Sequence, residues 1–297
     1  EVIMLIINGK LYLEDRVIEN GYIQIENDKI ISLGKMEFAP KDNTIIDAKG
    51  MNVLPGFIDQ HIHGANGADH MDATQKALKD IASFLPKEGT TSYLATTMTQ
   101  SVENVEKALK EIVEYVETDN KPGEADILGI HLEGPFISKK HVGAQNPDYV
   151  QKPTIETFDH FWETAKGKIK LITYAPEEAE KGFTNRLREL GVVPSAGHTD
   201  SSFDQIVNEI PEGLSNLTHF HNAMTPHHHR EPGVVTAGFM YPQLKAELIV
   251  DGIHLHPHIV DASYKIKGVD NVIAITDAMR AKDLPVGEDV FCGQTLY

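Results

Sequence analysis

Five short strings in this chain carry side chains that bind cations or move protons. His61 and His63 stand one residue apart in Asp59-Gln60-His61-Ile62-His63-Gly64. In an extended backbone alternate residues share a face, so the two imidazoles would point the same way and could grip one cation. A bare pair of this kind is as readily two core histidines bonded to their neighbours. His131 and Glu133 share a face in His131-Leu132-Glu133-Gly134-Pro135, and a carboxylate there could bind a metal or act as a base. Taken alone, Glu133 could equally cap the next segment or pair with a cation. His198 follows Ser195-Ala196-Gly197, His219 follows Leu217-Thr218, and Asp277 ends the apolar run Val272-Ile273-Ala274-Ile275-Thr276. A lone histidine is more often structural than ligating, but several runs that each deliver His or Glu are harder to dismiss together. An Asp buried without a charged partner would be costly, so the natural task of Asp277 is to hold a water and take its proton. Imidazole nitrogens with carboxylate oxygens suit Zn²⁺ or a similar divalent ion.

Such a constellation needs elements that bring the strings to one place. Residues 4–52 read as short strands with turn residues between them. The strands are Met4–Asn8, Leu11–Leu13, Tyr22–Glu26, Lys29–Leu33 and Thr44–Asp47, and the turns are Asn8-Gly9, Asn20-Gly21 and Asn27-Asp28. They form a small all-β unit, which leaves through Asn52-Val53-Leu54-Pro55-Gly56. From residue 53 apolar runs near 54–59, 91–96, 127–132, 169–174, 192–196, 214–219, 246–250 and 272–276 alternate with amphipathic stretches. Those stretches include Asp72–Lys87, Ser101–Glu117, Glu177–Leu190 and Ser202–Glu209. The second puts Val102, Val105, Leu109, Ile112 and Val116 on one helical face. Eight strands alternating with helices predict an α/β fold, a closed (β/α)₈ TIM-like barrel over residues 53–297 after a small β domain at 1–52. In such barrels the active site lies at the C-terminal ends of the strands, where all five strings fall. About twenty residues follow the last strand, with no closing helix evident, so a C-terminal truncation is expected.

Composition narrows the partners. The 297 residues carry a formal net charge of −17, which argues against a nucleic-acid partner. A small anion is still admissible, because one or two placed cations can hold a phosphate in an acidic protein. No run approaches the roughly 18 apolar residues of a membrane span, so no membrane partner is expected. The start lacks a basic region ahead of an apolar core, and no signal peptide is read there. The single cysteine, Cys292, cannot form an intrachain disulfide. A cytoplasmic location follows as the default expectation.

The order of these residues resembles the amidohydrolase superfamily. Longer strings look like its N-acetylglucosamine-6-phosphate deacetylase branch: Pro55-Gly56-Phe57-Ile58-Asp59-Gln60-His61-Ile62-His63-Gly64, His131-Leu132-Glu133-Gly134-Pro135-Phe136, Ser195-Ala196-Gly197-His198-Thr199, His219-Phe220-His221-Asn222-Ala223-Met224 and Thr276-Asp277-Ala278-Met279. The resemblance implies hydrolysis of an acetamide on a phosphorylated amino sugar, a divalent ion with zinc favoured over iron, one or two ions per subunit, and a homodimer. It implies a main metal site of Glu133, His198 and His219 and a second one of His61 and His63. Asp277 would serve as general base and then acid, and His254 would polarise the acetyl carbonyl. Asn222 and Ala223 would contact the phosphate or sugar, and Arg230 would bind the phosphate, reaching across from a partner subunit. Gln145 stands where some relatives carry a histidine that touches the sugar. The branch also has a small β-sandwich built from both chain ends, of which the N-terminal half is present here.

The remaining histidines have plainer readings. His227, in the loop His227-His228-His229, is a candidate substrate contact. His256 and His258 read as solvent-facing or capping, His221 as structural, and His70 and His160 as surface residues. Asp59 would brace a ligand histidine, and Cys292 receives no role. Two other functions stay open: a different amidohydrolase acting on another amide or a cyclic imide, and a non-catalytic scaffold with the same barrel. Glu133 within His-Leu-Glu-Gly-Pro speaks against the first, and an intact set of candidate residues against the second.

Overall fold

The computed structural model describes residues 3–41, 44–285, 287, 289–291 and 294–296. It divides into two compact units, Glu1–Gly56 and Phe57–Tyr297.

The first unit is a five-stranded sheet. β1 (Ile3–Tyr12), β2 (Val17–Glu26) and β3 (Lys29–Lys35) run antiparallel to one another, while β4 (Ile45–Asp47) and β5 (Asn52–Val53) pair parallel with β1. Only one of the three expected turns joins strands. Asn27-Asp28 links β2 to β3, with Asn27 in the left-handed region at φ 56°, where Asn is tolerated. Asn8-Gly9 and Asn20-Gly21 instead lie inside β1 and β2, where the register shifts between Ile6 and Gly9 and again before Leu11. A bulge absorbs the turn-like residues without ending the strand.

The second unit is the barrel. Its parallel strands are β6 (Phe57–Ile62), β9 (Thr90–Thr96), β10 (Asp126–Glu133), β11 (Ile169–Tyr174), β12 (Val193–Ala196), β13 (Asn216–Leu217), β14 (Lys245–Ile249) and β15 (Val272–Ile275). A small antiparallel pair, β7 (Gly64–Ala65) and β8 (Ala68–Asp69), follows β6. Each barrel strand bonds to the next in chain order. The two ends meet through Asp277 N donating to His61 O at 2.9 Å and His63 N donating to Ala278 O at 2.8 Å. Eight parallel strands brought round in this way are a TIM-like (β/α)₈ barrel. The first strand lies three residues later than expected, because Leu54-Pro55-Gly56 leads into it. Its end thereby reaches the histidine pair.

Alternation along the strands sets both layers. Ile62 lies between His61 and His63, and Leu132 between His131 and Glu133. Both apolar residues join a buried cluster with Leu78 and Ile81 of α1 (Gln75–Phe84), Leu109 and Ile112 of α2 (Val102–Thr118) and Phe158 and Phe161 of α3 (Ile155–Thr164). Helix starts are chemically marked: Thr74, Ser101, Thr154 and Ser202 accept hydrogen bonds from backbone N–H groups in the first turns of α1, α2, α3 and α5 (Phe203–Glu209). The expected helix 177–190 is shorter. Glu177 is held by Thr199, Ser201 and the backbone of Asp200, so α4 (Phe183–Glu189) starts only after Gly182 at φ 86°. The α3 helix and α6 (Val234–Met240) are not among the amphipathic stretches named from the sequence; α7 (Pro257–Lys267) starts after His256, which takes the capping role read for it. Cys292 lies outside the described residues.

Candidate metal centre and active site

Glu133 ends β10 and stands at the middle of the site. Gly134 follows it at φ 73°, and a Cβ at that glycine would sit 2.1 Å from Thr99 Oγ1. Only glycine fits there, and the sharp exit fixes where the Glu133 carboxylate lies. Its Oε1 is 3.4 Å from His61 Nε2, 3.4 Å from His198 Nε2 and 3.2 Å from His219 Nε2, and its Oε2 is 3.1 Å from His63 Nε2. Two donor groups result, His61–His63–Glu133 and Glu133–His198–His219, each with its atoms within 4.8 Å of one another and each buried. They share the Glu133 carboxylate. Asp277 Oδ1 is 3.2 Å from both His61 Nε2 and His63 Nε2.

The residues that end three strands are held in unusual backbone. His198, His219 and Asp277 have φ of 47°, 30° and 48°, each costing on the order of 1–3 kcal/mol for a non-glycine residue. The strain turns the side chains inward at the rim. Acceptors behind the rings fix their orientation. His198 Nδ1 is 2.7 Å from His141 O and His219 Nδ1 is 3.1 Å from Asn222 O. Each ring thereby offers Nε2 to the centre.

The electrostatics fit a cation site. Burial alone would lower the imidazoles of His61 and His63, but the Asp277 and Glu133 carboxylates outweigh it, holding His61 well above its ordinary value and His63 up at about 9. Burial would likewise raise Asp277 and Glu133, yet the facing histidines hold both carboxyls well below the usual range. The cluster thus favours ionised carboxylates beside positive charge. Moreover, the buried His61 Nε2 and Glu133 Oε1 have no hydrogen-bond partner. Two orphaned donor atoms facing each other suit a shared metal ion better than a hydrogen-bonded core.

A cavity of about 550 Å³ opens over this centre. Its walls include His63, Glu133, Gln145, His198, His219, Asn222, Ala223, Asp251, His254 and Asp277. His254 Nδ1 is 2.7 Å from Asp251 Oδ2, so Nδ1 carries a proton and Nε2 is the nitrogen left for a ligand. Asn222 Nδ2 lacks a partner and is available to a ligand. Gln145 is buried; its Nε2 donates to Glu133 Oε2 at 3.0 Å and its Oε1 accepts from Thr99 N at 2.9 Å. It therefore touches a proposed metal ligand as well as lining the cavity.

Other expected residues fall elsewhere. Arg230 and His227 lie in an exposed loop and do not line this cavity; His227 Nδ1 is 3.0 Å from Thr236 Oγ1. His70 is fully buried and stacks on Tyr93 with centroids 5.7 Å apart, contrary to the surface position expected of it. His160 pairs with Glu106 and His221 with Ser263. His131 bonds to Thr173 Oγ1 at 2.7 Å and joins neither donor group. Asp59 does not brace an imidazole. It accepts from the backbone of His61 and from Thr276, tying the first strand to the last. The carboxylate behind His61 is Glu247, which the sequence reading passed over although a lone charge inside Ala246-Glu247-Leu248-Ile249 is a signal of a buried polar partner. Asp251, three residues before His254, was likewise missed as that ring's partner.

Comparison with known proteins agrees with this geometry. The sequence profile of the Amidohydrolase family matches residues 52–290. The chain is 45% identical over 254 residues to an N-acetylglucosamine-6-phosphate deacetylase of Lysinibacillus sphaericus, covering 85% of this chain and 65% of that protein. It is 41% identical over 297 residues to the enzyme of that name from Bacillus subtilis, covering 99% of this chain and 75% of that one. The crystal structure of N-acetylglucosamine-6-phosphate deacetylase from Pasteurella multocida superposes with a TM-score of 0.92 at 30% identity, covering 100% of this chain and 77% of that one. The chain thus spans about two thirds to three quarters of the length of these relatives. With one profile running across the whole barrel and 41% identity carried along almost every residue, the chain belongs to the amidohydrolase family.

Proposed function

We propose that this chain hydrolyses the acetamide of N-acetylglucosamine 6-phosphate, releasing acetate and glucosamine 6-phosphate. The observation that carries the reading is the position of Asp277, whose Oδ1 lies 3.2 Å from both rings of the His61–His63 pair at the floor of the cavity lined by His254. The names of the relatives support the choice of substrate.

Glu133, His198 and His219 would hold one divalent ion and His61, His63 and Glu133 a second. Zinc fits the donor set best, with ferrous iron the alternative. When bound, such an ion supplies Lewis acidity, acidifying water and polarising an amide carbonyl. Asp277 then takes the proton from the attacking water and passes it to the departing nitrogen. His254, with Nδ1 held by Asp251, would in its doubly protonated form donate from Nε2 to the acetyl oxygen as charge develops there. Asn222 and Ala223 contact the sugar or phosphate, with Gln145 at the wall. Arg230 binds the phosphate, with His227 beside it as a further substrate contact. Because Arg230 is exposed and lies outside its own cavity, we read it as reaching a neighbouring subunit's cavity in a homodimer. Among the described residues no helix is long and apolar enough to cross a membrane, and a cytoplasmic site of action is proposed with the rest.

Acetate release from the phosphorylated sugar, followed through chelation and metal restoration, tests this reading. The account expects activity that chelation removes and Zn²⁺ or Fe²⁺ returns. Activity indifferent to a chelator that strips the protein of metal would overturn it.

A further inference from the structure

Among the described residues, Glu247 is a carboxylate fully buried inside the barrel, and every neighbour it bonds to is a donor. Its Oε1 accepts from Gln60 Nε2 at 2.6 Å and Asn216 Nδ2 at 3.2 Å. Its Oε2 lies 3.1 Å from His61 Nδ1 and accepts from the His219 backbone N at 3.3 Å. A carboxylate has only lone pairs to offer, so His61 must carry a proton on Nδ1, and Nε2 is the nitrogen left to bind a cation at the centre.

The contact differs in kind from those behind His198 and His219. Those rings lean on neutral carbonyls, of His141 and Asn222. His61 leans on a charge, which makes the ring a stronger donor and adds negative charge beside the second site. Four donors also hold the carboxylate in one orientation. If Glu247 were only filler between strands, the contacts to Gln60 and Asn216 would suffice and nothing would require an oxygen at His61 Nδ1.

We propose that Glu247 is the positioning residue of the histidine-pair metal site: it sets the tautomer of His61 and with it the affinity for the second ion. The proposal rests on the two-ion reading above. It concerns metal loading and leaves the identity of the substrate aside.

The test titrates Zn²⁺ into metal-free wild type, Glu247→Leu and Glu247→Gln by equilibrium dialysis, with circular dichroism to confirm folding. Wild type should take two ions per chain. Glu247→Leu should weaken the second ion by about 10–100-fold while leaving the first within threefold. Glu247→Gln can still offer an amide oxygen to His61, and should fall between the two, near tenfold. Equal weakening of both ions, or two ions bound as in wild type, would overturn the proposal. Should Glu247→Leu fail to fold, the Gln variant decides by the same criterion. Long-range ¹H–¹⁵N correlation on the unmutated, zinc-loaded protein adds an independent readout. The His61 proton belongs on Nδ1, and a proton on Nε2 would refute the assignment. Wild type that binds fewer than two ions would instead show that the two-ion reading has failed, a result visible before any variant is made.

Discussion

At the scale of single residues, the account divides the work between two side chains that touch the reacting atoms. In the proposed reaction Asp277 moves the proton, and its isosteric Asn cannot. The Asp277→Asn variant should therefore keep its metal through Glu133, His198 and His219 yet lose about 10²–10⁴-fold in kcat, measured by acetate release with metal content checked in parallel. In the proposed reaction a doubly protonated His254 contributes a hydrogen bond that strengthens only as the oxyanion forms. His254→Phe should cost about 10²–10³-fold in kcat with KM changed little, and a variant that raises KM while sparing kcat would assign His254 to ground-state binding instead. Asp277 was legible in the sequence because His, Glu and Asp recur at strand ends, whereas His254 came only from the family resemblance. The backbone that aims the strand-end residues was not legible. Left-handed φ at His198, His219 and Asp277 is a property of the closed barrel, imposed by long-range packing, and nothing in Gly-His-Thr or Thr-His-Phe announces it. Glu247 and Asp251 were overlooked for a related reason: their meaning lies in a partner, His61 or His254, that only folding or a turn brings near.

At the scale of elements, strands were easier to read than helices. Barrel strands are short apolar runs with sharp ends, and all eight were located within a few residues. The α6 helix, Val234–Met240, is rich in β-branched residues and glycine, which have weak helix preference; tertiary packing under Phe220 and Leu217 makes it helical. Its stability has an identifiable source. Lys267 of α7 is buried and its Nζ donates to the carbonyls of Gly238, Tyr241 and Leu244, at 2.6, 3.2 and 2.5 Å. One ammonium thus satisfies the carbonyl end of α6 and the turn after it. Lys267→Met keeps the length of the stem but leaves those acceptors dry. It should destabilise the protein by on the order of 2–3 kcal/mol, read as a lower urea midpoint at unchanged slope. An unchanged midpoint would mean that water reaches these carbonyls.

At the scale of the whole molecule, the acidic surface and the histidine-rich interior make opposite demands as pH falls. Burial holds His70 down at about 3, from an ordinary value near 6.5. The fold keeps this ring neutral while the unfolded chain takes up a proton below about pH 6.5, so stability must fall as pH drops from about 6.5 toward 3. His70→Phe retains a ring against Tyr93 and removes the proton site. Between pH 7 and pH 5 wild type should lose stability relative to that variant, and equal slopes in urea titrations at the two pH values would contradict the assignment. The barrel as a class was legible from strand count and alternation alone, and the metal centre from the convergence of five strings. What the sequence left open is the arrangement that makes the centre work: one glutamate shared between two donor groups, with a third carboxylate behind His61. The most direct test of the account is the ratio of kcat/KM for N-acetylglucosamine 6-phosphate to that for the unphosphorylated sugar, measured on zinc-loaded protein with Asp277→Asn as the control. The account predicts fast acetate release from the phosphorylated sugar, a ratio far above one, and near-silence in the control; no turnover from a folded, metal-loaded sample, or turnover that Asp277→Asn leaves intact, would contradict it.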